Sequence, residues 1–217
     1  MIRILTGTPG SGKSLHMANL IYWFLVAKKP VIANFAVKSE MVKHPECFTY
    51  LDNSELTPEK LVEYSRLYFE SHSFHEGEIK VFIDEAQVIF QARRWAENGR
   101  DAWIRLFSQS RKLGIDVYLC CQHIDMVDKQ IRTLIEYEVR HRVVNNAGIG
   151  GKVVNLICLG HPLVITYTFW VGLRERVGTE IFIGRKKYYR IYDSYKMFEG
   201  ADAVLDDTPR NAQGAIV

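Results

Sequence analysis

Apolar residues enter the chain in short blocks. Ile2–Leu5 is apolar apart from Arg3, the composition of a buried parallel strand, and Lys13–Val26 then carries Leu15, Ala18, Ile21, Tyr22 and Leu25 at helical spacing. The pattern predicts strand, glycine-rich loop, helix. Pro30 closes the helical region, and Val31–Phe35 is β-branched and apolar enough for a second strand. After a mixed segment from Val37 to Phe48, Thr57-Pro58-Glu59-Lys60 predicts a helix start with Thr57 as cap. Leu61, Tyr64, Leu67 and Tyr68 form the apolar face of that helix, which should end near Ser71. Lys80-Val81-Phe82-Ile83-Asp84-Glu85 is an apolar strand ending in two acids. Ala102–Leu113 is a helix closed by Gly114, and Ile115–Cys121 is the next strand. This alternation predicts an α/β fold with a mainly parallel central sheet flanked by helices.

Beyond Glu136 the period changes. Tyr137, Val139, His141 and Val143 alternate with polar residues, and Tyr188–Tyr192 is apolar enough for a short strand. Val153–Leu173 holds no Asp, Glu, Lys or Arg over a length that could cross a bilayer. Gly160-His161-Pro162 interrupts it, and the flanks Val153–Leu159 and Leu163–Val171 are rich in Val, Ile, Thr and aromatics, so a β-hairpin is expected there. We expect one main domain over 1–198, with a core at 1–135 and a β-rich extension at 136–198 that extends the core sheet or packs on it. Residues 199–217, with four acids against one arginine and no hydrophobic period, are expected to be an acidic tail or linker.

Composition narrows the class without naming a chemistry. With 47% hydrophobic residues among 217, the chain can bury a substantial core, and a net charge of +3 is too small to imply a nucleic-acid or membrane-surface partner by itself. The four cysteines, Cys47, Cys120, Cys121 and Cys158, show no C-x-x-C spacing, so neither a disulfide framework nor a zinc site is expected. The seven histidines show no paired metal spacing. The N-terminus runs into the glycine-rich segment without the apolar stretch of a signal peptide, so export by that route is not expected.

The chemistry is concentrated in one octapeptide. Gly7-Thr8-Pro9-Gly10-Ser11-Gly12-Lys13-Ser14 fits G-x-x-x-x-G-K-[S/T] in full, between a strand and a helix. Glycines let backbone amides curl around phosphates with no Cβ in the way, and the helix N-terminus favours an anion. Lys13 can then reach the β- and γ-phosphates of ATP, while the Ser14 hydroxyl can coordinate Mg²⁺. Asp84 ends an apolar strand at the sheet's carboxyl edge and suits a supporting acid on that Mg²⁺; Glu85 suits the base that orients and deprotonates an attacking water. Gln122, at the end of the following strand, can sense the γ-phosphate. Arg111 and Arg132 are candidate arginine fingers for a neighbouring subunit's nucleotide. Arg93-Arg94-Trp95 and the run from Arg174 to Arg190, six basic residues against two acids, read as solvated surface.

GTPGSGKS at 7–14, FIDEAQ at 82–87, SRKLGIDVYLCCQHIDMVDKQIR at 110–132 and YDSYK at 192–196 together resemble the N-terminal ATPase domain of the zonula occludens toxin family. That family includes the gene I assembly proteins of filamentous bacteriophages. The resemblance runs over residues 1 to 198. The phosphate loop marks P-loop NTPases in general, whereas the downstream order Arg-x-x-Gly-x-Asp, Gln, Asp-x-x-Ile-Arg points to this family. The resemblance implies an ATP-driven motor domain on the cytoplasmic face of the bacterial inner membrane. It further implies a homo-oligomer, with a ring as one possible form, working with other phage assembly proteins to extrude single-stranded phage DNA. The family plan adds one transmembrane helix and a periplasmic part; these 217 residues hold no membrane segment of that kind, and this chain is expected to be soluble by itself.

Two other readings stand beside the motor. The DEAQ string after a P-loop also resembles thymidine kinases, which would make the chain a phosphotransferase, although those kinases carry paired cysteines for a structural zinc. A nucleotide-dependent binding module without turnover is the third.

Overall fold

The computed structural model describes residues 1–90, 99–144, 156–159 and 161–191. Strand β1 (Ile2–Thr6) runs into the glycine loop and helix α1 (Lys13–Val26). The chain continues through β2 (Val31–Ala33), β3 (Phe48–Tyr50), α2 (Pro58–Ser71), β4 (Ile79–Ile83), α3 (Ala86–Ile89) and α4 (Arg100–Ser108). It then forms β5 (Ile115–Cys120), α5 (Lys129–Leu134), β6 (Tyr137–Val143), β7 (Leu163–Trp170), β8 (Glu175–Ile183) and α6 (Lys186–Ile191). The strands form one eight-stranded sheet in the order β3-β2-β4-β5-β1-β6-β7-β8. Pairing is parallel from β3 to β6 and antiparallel from β6 through β8, so the C-terminal strands extend the core sheet.

Side chains alternate between the two faces, and each face has its own core. On one, Leu5, Phe82, Tyr118 and Cys120 pack under Met17, Ile21 and Leu25 of α1. On the other, Ile4, Val81, Ile83, Val117 and Leu119 pack under Leu61 of α2 and Trp103, Leu106 and Phe107 of α4. Because both faces of the central strands are covered, those strands are apolar almost without interruption, which explains their block-like sequences. Each large side chain so buried contributes about 1.5–3 kcal/mol. Helix α2 begins as expected: the Thr57 hydroxyl accepts the Lys60 amide at 3.3 Å, and Pro58 occupies the first turn, where no amide partner is needed. At the sheet's amino edge, buried Asp116 is held by the Met1 ammonium at 3.0 Å and the Lys80 ammonium at 2.8 Å.

Three sequence expectations are corrected. The hairpin arm expected at Val153–Leu159 is not a strand where it is described: residues 156 and 157 are helical and Cys158-Leu159 form a turn. The partners of β7 are β6 and the strand β8, which the sequence pattern hides because most of its residues are exposed and follow no clean alternation. Tyr188–Tyr192 is not a strand, since Lys186–Ile191 is helical. Tyr188 and Ile191, three positions apart, both pack on Leu15 and Ala18 of α1, a spacing that suits one face of a helix. The helix expected over Ala102–Leu113 begins two residues earlier and ends at Ser108, with turns from Gln109 to Gly114. Arg93-Arg94-Trp95, YDSYK and residues 199–217 lie outside the described residues.

Candidate functional site

The glycine loop sits where β1 reaches the carboxyl edge of the sheet. Gly10 and Gly12 take positive φ values of 75° and 96°, as the reversal of the chain into α1 requires. Gly7 is also at positive φ (147°), and space adds to the limit there, because a Cβ would lie 2.5 Å from the Ser11 hydroxyl and 3.0 Å from the His141 carbonyl. Lys13 folds back, its ammonium donating to the carbonyls of Gly7 at 2.7 Å and Thr8 at 3.2 Å. The Ser11 hydroxyl is buried inside the loop and has no hydrogen-bond partner among the described residues. An orphan hydroxyl, a cradle that a Cβ would fill and a lysine bonded to its own loop fit a phosphate group. Ser14 follows on the first turn of α1.

Asp84 and Glu85 leave β4, which is separated from β1 by β5 alone: Ile83 pairs with Leu119, and Leu119 with Ile4. At ~4.8 Å per strand this sets the acids about 10 Å across the carboxyl edge from the loop. Asp84 is buried, and its carboxylate accepts the Glu85 amide at 2.9 Å. Glu85 is left-handed (φ 48°), which turns the chain from β4 into α3 within one residue. For a residue with a Cβ this conformation costs of order 1–3 kcal/mol, and the Glu85 carboxylate is held by the Gln87 side-chain amide. Gln122 is exposed beside the loop, with its backbone carbonyl accepting the Gly7 amide at 3.1 Å.

The two arginines are placed elsewhere. Arg111 lies in the turn before β5, at the amino edge, paired with Glu136 at 2.8 Å. Arg132 lies on α5 and pairs with Asp125. Neither is brought to the phosphate loop of its own chain.

Several residues at the site escape sequence reasoning. Asn34, buried just past β2, clamps Asp84 from both sides: its side-chain carbonyl accepts the Asp84 amide at 2.7 Å and its side-chain amide donates to the Asp84 carbonyl at 2.9 Å. The same amide group reaches Asn53 at 2.8 Å. The only signal in the sequence is a polar residue ending the apolar run 31–33. Buried Glu138 accepts the Thr6 hydroxyl at 2.8 Å and the Arg140 guanidinium at 2.9 Å. Cys120 and Cys121 end the strand that separates the loop from the acids. Burial raises both thiols, Cys120 well above the usual thiol range and Cys121 to about 12, so both stay protonated near neutral pH.

A buried histidine pair ties α1 to the loop. His141 Nδ1 faces the Thr6 carbonyl at 3.1 Å and must donate to it, leaving Nε2 to accept from His16 Nδ1 at 2.8 Å. The chain of bonds therefore needs His141 neutral, since its Nε2 must accept; His16 only donates, and it is burial that keeps that ring neutral. Burial depresses His16 to about 3, helped by the neighbouring charges of His141 and Arg3, and His141 to about 4. A cavity of about 560 Å³ runs between α2 and α4 past Val62, Arg66 and Arg105 and shares no residue with this site. Among the described residues no cluster of three His, Cys, Asp or Glu could hold a metal by itself, and no helix is long and apolar enough to cross a membrane.

The histidine pair makes stability depend on pH. Both values fall below the unfolded reference near 6.5, so the unfolded chain takes up protons first as the pH drops. Stability from this source is full above about pH 6.5 and declines towards pH 4. The urea midpoint should fall over that window, and His141→Gln should flatten the slope; equal slopes would remove the pair as its source. Asn34→Ala removes both of the side-chain bonds that Asn34 makes to the buried Asp84 backbone and should cost about 1–3 kcal/mol in denaturant unfolding.

The same architecture recurs in known proteins. The family model described as zonular occludens toxin (Zot) matches residues 1–196. The gene 1 protein of Escherichia phage If1 is 26% identical over 141 residues, covering 64% of this chain and 40% of that protein, and the gene 1 protein of Enterobacteria phage M13 matches to the same extent. The chain thus spans about 40% of the length of these curated relatives. Among solved structures, the N-terminal domain of zonular occludens toxin from Neisseria meningitidis superposes with a TM-score of 0.51 at 20% identity, covering 88% of this chain and 98% of that one. B204, the DNA-packaging ATPase of Sulfolobus turreted icosahedral virus, gives 0.52 at 16% identity, covering 83% and 95%. A further solved ATPase domain gives 0.56 at 10% identity, covering 88% and 84%. These likenesses show the fold, that of a P-loop NTPase domain. With its match running from residue 1 to residue 196, the chain belongs to the zonular occludens toxin family.

Proposed function

We propose that this chain is the Mg²⁺-dependent ATP-hydrolysing domain of a motor. The observation that carries this reading is the position of the loop Gly7–Ser14 and the acids Asp84 and Glu85 on one sheet edge with a single strand between them. The loop amides, the α1 N-terminus and Lys13 bind the terminal phosphates of ATP, and Lys13 exchanges its two loop carbonyls for phosphate oxygens. Ser14 and Asp84 would hold Mg²⁺, which when bound neutralises charge on the phosphate oxygens. Glu85 takes the proton of the attacking water, and Gln122, beside the loop, orients its amide to the γ-phosphate. Asn34 keeps Asp84 in place through the two backbone bonds it makes.

Arg111 stands on the edge opposite its own loop and Arg132 on α5, so either can serve as an arginine finger only from a second copy, in a homo-oligomer such as a ring. Membership of the Zot family and the similarity to phage gene 1 proteins support a role in filamentous phage assembly. Single-stranded phage DNA and other assembly proteins are the proposed partners, and the cytoplasmic face of the bacterial inner membrane is the proposed location of the full-length protein. We assign the ATPase domain to 1–198, with a core at 1–135 and a β-rich extension at 136–198, followed by an acidic tail or linker at 199–217.

Lys13→Ala should weaken ATP binding at least about 100-fold. Glu85→Gln should bind ATP like the unsubstituted chain and lose about 10²–10⁴-fold in turnover. Equal hydrolysis by Glu85→Gln would remove Glu85 from its role, and transfer of the γ-phosphate to a nucleoside would reassign the chain to phosphotransfer. If a finger acts in trans, specific activity should rise with protein concentration and fall in Arg111→Ala or Arg132→Ala. A flat dependence with both variants active would reject the finger.

A further inference from the structure

Strand β1 carries one charge within its apolar run. Arg3 alternates with Ile2 and Ile4 and so lies with Leu5 on the sheet face that α1 covers. It pairs directly with Tyr118 on β5 and Tyr137 on β6, and its guanidinium stands 5.9 Å from the centre of each ring. Ring faces attract the charge but leave the donors in the guanidinium plane open. The Arg3 Nε is buried and has no hydrogen-bond partner among the described residues. The same is true of Nε in Arg100 and Arg132, but their terminal nitrogens pair with Asp128 and Asp125, and Arg3 has no such carboxylate among the described residues. Asp116, two residues before Tyr118 on β5, is already held by the Met1 and Lys80 ammonium groups.

Arg3 fronts a cavity of about 330 Å³ that shares no residue with the loop Gly7–Ser14. Its floor is β1, β6 and β7, and its walls are α1, through His16 and Leu20, and the edge strand β8. Strand β8 reaches over towards α1, with the Phe182 ring 5.0 Å from the His16 ring. Gly178 keeps the space between these walls open: it pairs with Thr168, and a Cβ on it would meet Thr168 at an ordinary 3.6 Å. Glu180 lines the far end. It shares a row of the sheet with Thr166 and His141, whereas Arg3 shares one with Tyr137, four residues and about 13 Å back along β6. The cavity thus has a cationic end, an acidic end, and Leu20, Val139 and Val177 as its aliphatic lining.

We infer that this cavity is a binding site for a small organic monocarboxylate, with the carboxylate on Arg3 and the hydrocarbon body against the aliphatic lining. The planar fork of a guanidinium matches the two oxygens of a carboxylate, and the volume is in the range of small-molecule sites. Glu180 limits the ligand to one negative end, because a second carboxylate there would meet a like charge. The site stands on its own residues and is independent of the ATP chemistry proposed above.

The test is a titration of the whole chain with benzoate and with benzamide, which has nearly the same shape and no charge, followed by ligand-observed NMR. Benzoate should bind at least about tenfold more tightly than benzamide. Arg3→Met keeps an apolar stem on β1 and should lose at least about tenfold in benzoate affinity while leaving benzamide unchanged. Gly178→Leu fills the cavity from an edge strand without touching Arg3, and should lose both ligands while the unfolding midpoint is kept. No benzoate uptake by the unsubstituted chain would overturn the site, as would equal affinities for the two ligands. Benzoate affinity unaltered in Arg3→Met or in Gly178→Leu would place the anion elsewhere and overturn it as well.

Discussion

Parallel strands all end on the same edge, and this constraint organises the molecule. An isolated strand followed by a helix would expose four amides at the helix N-terminus and nothing to use them with. In the sheet β4-β5-β1, the same edge that carries those amides carries Asp84, Glu85 and Gln122, because each follows closely on a strand pointing the same way. Anion-binding amides and acids can then stand within about 10 Å without touching. Like-sign repulsion between the acids and the phosphates is the electrostatic problem such an arrangement creates. In the function proposed here, Lys13 and a divalent cation that Ser14 and Asp84 would hold supply the charge of the right sign to offset it.

Around that edge the structure is braced by bonds that depend on protonation state. The neutral chain from His16 to His141 to the Thr6 carbonyl spans α1, β6 and the residue that precedes Gly7. Glu138 grips the Thr6 hydroxyl. Thr6 is thus fixed by both its backbone and its side chain, and the loop that follows starts from a defined position. Asn34 does the same for Asp84 across the sheet. The strand ends at Thr6 and Asp84 are held by several bonds, while the loop that follows Thr6 keeps a hydroxyl without a partner among the described residues and a lysine bonded only to loop carbonyls in the contacts described. A site that binds and releases a polyanion, as proposed here, would gain from that division, since little of the framework has to be reorganised when the ligand arrives.

The legible parts of this sequence are those in which cause and effect are close along the chain. The P-loop spacing, the Thr57-Pro58 helix start and the strand that ends in Asp84-Glu85 are local patterns, and the strand-helix alternation follows from burial on both faces of the sheet. The hidden parts depend on distance. His16 and His141 are 125 residues apart, and neither sits in a pattern that marks it. Asn34 looks like the end of a strand until β4 is placed beside it. Strand β8 lies at the sheet's edge, mostly exposed, so burial imposes no alternation on it. Tyr188–Tyr192 reads as a strand because aromatic and β-branched residues favour one in isolation, whereas the contact of Tyr188 and Ile191 with Leu15 and Ala18 suits the helix Lys186–Ile191.

The proposed chemistry depends on the loop exchanging its own carbonyls for a ligand's phosphates. A crystal structure of the chain with magnesium and a non-hydrolysable ATP analogue tests this directly. The β-phosphate should lie within the amides of residues 10–14, with the Lys13 ammonium withdrawn from Gly7 and Thr8 onto phosphate oxygens and the metal bound by Ser14 on the side facing Asp84. An analogue found elsewhere on the surface, with Lys13 still bonded to the carbonyls of Gly7 and Thr8, would contradict it.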